Sequence, residues 1–313
     1  MSDLVFEDLP SIGGLLVKAA TPKASAVRTG AIPHRTAIVA AHNQDVSRLA
    51  AYDRLCGFTL RDRVPPTWLH VLAFPLQAAL MAQRDFPYAL AGLVHARNSM
   101  TLHRPVTVSD ELALIVRAEP ARAHRKGAEF DLVSEVRVGG ETAWTGISTY
   151  LARGARAPGS GEATVWQEAP PAMPAASATL DGTGASDAGT PEESGLTVDG
   201  PPSQQWRLPG DLGRRYAGVS GDVNPLHLNA LAARAFGFKR PIIHGMWTHA
   251  RALAALGPRL PETYTVSVRF TKPILLPARV GFATSTDAGR TTFAVLSRDG
   301  RAHLLGEVEP ATP

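Results

Sequence analysis

Cysteine is all but missing: Cys56 is the one thiol in 313 residues. Intramolecular disulfides, cysteine-based zinc sites and iron–sulfur clusters are excluded on that ground. No stretch of 18 apolar residues occurs, so no membrane-spanning helix is expected. The opening MSDLVFEDLPSIGG is acidic and lacks a basic-then-apolar leader, which points to a cytoplasmic protein. Aromatics are sparse, at 6%, and no Arg/Lys cluster is interleaved with them, so no nucleic-acid partner is expected. The ten histidines form no H-x-H or H-x-x-x-H pair, which argues against a metal, and no cofactor motif appears.

What is present suffices for a core, with 44% of residues hydrophobic. The net charge of +4 is unevenly spread. Residues 154–205 hold seven acidic residues and one basic residue, so the remainder carries +10. Such a body suits an anionic partner: a phosphorylated ligand or an acidic carrier protein. The acidic stretch also contains eight glycines, seven prolines and a single large aromatic, Trp166. It has too little apolar surface to offset its ordering entropy and reads as a linker between regions 1–153 and 206–313.

The two regions share a pattern. In each, an apolar helical stretch (Trp68 to Ala82, Met246 to Leu256) precedes strands of period two. An ungapped offset of 168 residues lays Leu102 on Phe270, Arg104 on Lys272, Pro105 on Pro273 and Leu112 on Val280. This is the mark of a diverged internal duplication. Helix followed by antiparallel meander gives α+β, each sheet wrapping one long helix. Pro75 inside the first helical stretch predicts a kink or a late start.

The chemistry-bearing segment is Tyr216-Ala217-Gly218-Val219-Ser220-Gly221-Asp222-Val223-Asn224-Pro225-Leu226-His227, followed seventeen residues later by His244-Gly245-Met246. Ser220-Gly221-Asp222 and Asn224-Pro225 are turn signals, so Asp222 and His227 flank a sharp loop. A carboxylate and an imidazole on one bend suit general acid–base work; Asp222 read alone serves equally as a cap or Asx-turn residue. Gly245 opens an apolar helix, where its amide joins the unpaired donors of the first turn.

This segment, with Gly237-Phe238 and Ile242 to Met246, resembles the signature of MaoC-like (R)-specific enoyl-CoA hydratases, which have the hot-dog fold. The first region resembles more loosely the degenerate repeat of double hot-dog 3-hydroxyacyl-thioester dehydratases. The resemblance implies that Asp222 and His227 hold the catalytic water or 3-hydroxyl. It further implies that Gly245 binds the thioester oxygen and that Asn224 orients the loop, with Ser220, Tyr216 and His244 positioning substrate. The substrate would be a CoA or acyl-carrier-protein thioester, and region 1–153 would bind the acyl chain. No D-x-N-P-x-H occurs in that region, so one active site per chain is expected. Trp247 either narrows the acyl channel or belongs to the core. A non-catalytic thioester-binding subunit and a thioesterase are the alternative functions. Two hot-dogs in one chain leave monomer and homodimer both open.

Overall fold

The computed structural model describes residues 2–19, 31–158, 198 and 201–311. The first half runs β1 (Leu4–Phe6), α1 (Ile12–Ala19), β2 (Thr36–His42), α2 (Val46–Cys56), α3 (Pro66–Met81) and β3 (Leu93–Leu102). Strands β4 (Leu112–Ala118), β5 (Arg122–His124), β6 (Gly127–Val138) and β7 (Glu141–Arg153) complete it. The second half repeats the order with β8 (Gln204–Leu208), α4 (Leu212–Ser220), α5 (Ala230–Ala235) and α6 (Gly245–Leu256). Its meander is β9 (Tyr264–Phe270), β10 (Ala278–Asp287), β11 (Arg290–Leu296) and β12 (Ala302–Pro310).

Local chemistry sets these boundaries. Asp45 accepts the Arg48 amide to start α2, and Gly57, at φ 85°, ends it in the left-handed conformation. Gly139 and Gly140, both at positive φ, make the hairpin between β6 and β7. The expected late start at Pro75 is not found. Helix α3 begins at Pro66, where a missing amide is harmless, and continues through Pro75. Burial of every α3 residue except the half-buried Phe74 outweighs the lost hydrogen bond, since its apolar side chains face the sheet and α6 alike. Most of the proposed linker, 159–197, lies outside the described residues. At its far end the reading needs correction: Gln204 and Gln205 pair with Phe282 and Gly281 as the first residues of β8.

All strands join one sheet, ordered β1-β2-β4-β6-β7-β3-β9-β12-β11-β10-β8, with β5 beside β6. From β2 to β8 this order is a palindrome about the β3–β9 seam. There Ser99 sits opposite Ser267, its own counterpart at the 168-residue offset, with their hydroxyls 2.9 Å apart. A pseudo-twofold axis therefore passes through the seam. Helices α3 and α6 lie on the inner face, and their side chains merge into one core that includes Trp68, Leu72, Leu253 and Val266. This is a double hot-dog.

The halves differ where it matters. Nine residues, 57–65, join α2 to α3, whereas residues 221–244 with their turns and α5 join α4 to α6. The two long helices enter alike: Pro65 before α3 has φ −64°, ψ 139°, and His244 before α6 has φ −60°, ψ 136°. Pro65-Pro66 thus stands where the second half has His244-Gly245, and proline at the first helical position has no amide hydrogen.

Candidate active site

Helix α4 stops at Gly221, whose φ of 79° reverses the chain and throws Asp222 across the entrance of α6. The loop is then pinned by its own side chains. Ser220 Oγ accepts the Asp222 amide at 3.2 Å, Asp222 Oδ1 accepts the Asn224 amide at 3.2 Å, and Asn224 Oδ1 accepts the Leu226 amide at 3.4 Å. Pro225 starts the single 3₁₀ turn that carries His227. Asn224 is therefore a loop-shaping residue, and so is Ser220.

His227 Nδ1 donates to the Ile242 carbonyl at 2.9 Å. That bond fixes the neutral tautomer and leaves the Nε2 lone pair free. His244 Nε2 donates to the Asp222 carbonyl at 3.0 Å and lies 3.8 Å from Asp222 Oδ2. The two imidazoles stack with centroids 3.7 Å apart. Burial lowers the pKa of both rings, that of His244 well below the usual histidine value, where the neighbouring His227 lowers it further. Burial raises the Asp222 carboxyl, against the pull of His227. A carboxylate and an imidazole are thus drawn toward each other in proton affinity, the condition for passing a proton in either direction.

Gly245 is the first residue of α6, where amides have no partner within the helix. A Cβ there would come 2.9 Å from Phe270 Cε1, so glycine lets Phe270 close over the helix entrance. Tyr216 is buried with its ring 4.9 Å from His244 and supports the stack from behind. Trp247 is also buried; its indole donates to the Leu55 carbonyl, tying α6 to the first half.

The first half adds residues that the motif does not contain. His95 of β3 lies between Tyr150 of β7, at 4.7 Å, and Phe270, at 5.2 Å. Tyr150 is buried, donates to Gln77 Oε1 at 3.2 Å, and has its hydroxyl pKa raised by burial and by the charge of Asp222. No spacing in the sequence signals these residues, which reach the site because β3 and β7 lie beside the seam. Asp222, His227 and His244 also bring one ligand atom each within 4.8 Å of one another, as a cation would require. The carbonyls of Ile242 and Asp222 already account for one nitrogen of each ring.

Residues 196–300 match the family model described as MaoC like domain. The chain is 36% identical over 282 residues to 3-hydroxyacyl-thioester dehydratase X of Mycobacterium tuberculosis, covering 90% of this chain and 91% of that one. A 66-residue stretch, 49% of the relative's length, is 36% identical to the (R)-specific enoyl-CoA hydratase of Aeromonas caviae. A crystal structure of HtdX from M. tuberculosis superimposes with TM-score 0.71 at 33% identity, covering 88% of this chain and all of that one. A MaoC-like dehydratase from Phytophthora capsici shares the fold, with TM-score 0.65 at 19% identity. Taken with the loop geometry and the doubled sheet, these matches show that the chain belongs to the MaoC-like 3-hydroxyacyl-thioester dehydratases, hydro-lyases of double hot-dog architecture.

Proposed function

We propose that this enzyme interconverts (3R)-3-hydroxyacyl and trans-2-enoyl thioesters of CoA or acyl carrier protein, in fatty acid metabolism, with Asp222 and His227 as the acid–base pair. The observation that carries the reading is their placement on one pinned loop, with the free Nε2 of His227 beside the open end of α6. In the hydration direction the pair holds a water. Its oxygen bonds to C3 while one member takes a proton, and a proton returns to C2. Negative charge gathers on the thioester oxygen, where the Gly245 amide donates; a fixed donor of this kind contributes about 3–4 kcal/mol. The thioester itself withdraws electrons from the double bond, so the chemistry runs on proton transfer and oxyanion support alone.

The first half supplies a wall rather than a second centre. Phe270, His95 and Tyr150 border the side on which the acyl chain enters region 1–153. Pro65-Pro66 and the short 57–65 loop offer neither the dyad nor the donor. A non-catalytic binder would have no use for Asp222 and His227, and a thioesterase no use for a pair aimed at C3.

Crotonyl-CoA provides the test. Hydration removes the absorbance of the conjugated enoyl thioester without releasing thiol. Thiol release would make the enzyme a thioesterase, and binding without either change would make it a carrier subunit.

A further inference from the structure

The N-terminal end of α4, opposite the end that leads to Asp222, borders an open cleft of about 400 Å³. Four guanidinium groups line it, from Arg54, Arg207, Arg215 and Arg251, beside Trp206 and Trp247; among the described residues no carboxylate does. Arg251 forms the floor. Its guanidinium stacks over Trp206 at 4.9 Å and fills the space beside Gly57 at the end of α2. Arg54, Arg207 and Arg215 are exposed, and among the described residues none makes an ion pair with a carboxylate. Elsewhere Arg97, Arg122, Arg137 and Arg290 are all paired with glutamate.

The pseudo-twofold axis shows that the fold does not demand this cleft. Gly221 is the counterpart of Gly57, each ending the helix before the loop. A Cβ on Gly221 would touch Ile12 of α1 at 3.4 Å, and Ile12 is buried. The first half thus fills its corner with Ile12 and with the Arg48 guanidinium, which donates to the Val219 carbonyl and stacks over Trp68. Among the described residues, the second surrounds the same corner with positive charge, which accounts for part of the +10 outside residues 154–205.

We propose that this cleft binds the clustered phosphates of a nucleotide-type ligand. Guanidinium forks match phosphate oxygens in pairs, and several unpaired cations around one hollow favour a polyanion over a single charge. The volume exceeds that of one phosphate. Trp206 is buried and already stacked on by Arg251 and Phe282, so recognition rests on phosphates rather than on a stacked base. Two sources share this chemistry: the 3′-phosphorylated ADP end of a CoA thioester, which rests on the proposed reaction, and a free nucleotide, which does not.

Calorimetric titration with adenosine 3′,5′-bisphosphate tests the site directly, with adenosine as control. The expected result is one saturable site per chain for the bisphosphate only, weakening as salt rises. The paired substitution Arg207→Gln with Arg215→Gln, both on the surface, should weaken it at least tenfold without moving the melting temperature. KM then separates the sources. A rise for crotonyl-CoA, with kcat constant and crotonyl-pantetheine unaffected, identifies the CoA end; unchanged KM alongside weakened bisphosphate binding identifies a free nucleotide. Absence of saturable binding, or binding indifferent to the substitutions, overturns the proposal. So does binding that emerges only after residues 159–197 are removed, which would give the cleft to the chain's own acidic segment. An inactive enzyme would leave the titration interpretable, so the two failures are distinct.

Discussion

At the scale of single residues, the site depends on two protons and one amide. Asp222→Asn and His227→Gln should each slow crotonyl-CoA hydration by at least roughly 10²-fold, because each removes a proton-transfer group. Neither should shift the melting temperature much, since asparagine keeps an Oδ1 to accept the Asn224 amide and glutamine keeps a side-chain donor for the Ile242 carbonyl. Near-normal turnover in a folded variant would remove that residue from the mechanism. Activity should also fall with acid through the range below neutral, as His227 gains a proton and Asp222 loses its charge. A profile flat across that range would dissociate catalysis from the pair. The dyad was legible because its residues are five apart on a turn. Tyr150 and His95 were not: they reach the site only because β3 and β7 lie beside the seam, a fact of pairing that no local spacing records.

Among elements, α3 and α6 carry a cost that pH exposes. His70 and His249 are buried at equivalent places on the two helices, and burial lowers their pKa values to about 4 and about 3. Below 6.5 the unfolded chain binds protons that the folded chain refuses, so stability is full above that value and declines as pH falls. Each histidine should cost about 2 kcal/mol between pH 7 and pH 5. Asp53 acts in the opposite sense, since burial raises it to about 7 and its charge is tolerated better unfolded. The clean measurement is therefore a difference: in His70→Leu, the urea-derived loss between those pH values should be smaller by about 2 kcal/mol. An unchanged loss would mean that His70 takes up its proton as readily in the folded chain as in the unfolded one. Gln77 on α3 holds Ser134 and Ser148 and accepts from Tyr150. Gln77→Leu strands those hydroxyls and should destabilise the fold by about 1–3 kcal/mol in the same assay. Helix lengths were readable from apolar runs to within two residues, but the late start read from Pro75 did not hold, because burial of the helix overrules a local breaker.

For the whole molecule, the duplication visible as a 168-residue offset is also the symmetry of the sheet. Ser99 facing Ser267, and Thr101 Oγ1 within 2.9 Å of Thr265 Oγ1, join the halves through main chain and side chain. A chain cut once between residues 159 and 197 should therefore run as a 1:1 complex on size exclusion and keep its activity. Separation into halves would show that the covalent link, not the seam, holds the body together. The same seam has a consequence for a half that loses its mate. Each seam strand lies antiparallel to its counterpart in the other repeat, so an orphaned β3 presents an unpaired edge open to antiparallel pairing with a second β3. Two such halves from different chains can close on each other in the native register. The internal duplicate therefore acts as a permanent blocking partner, keeping inside one polypeptide a contact that would otherwise link molecule to molecule.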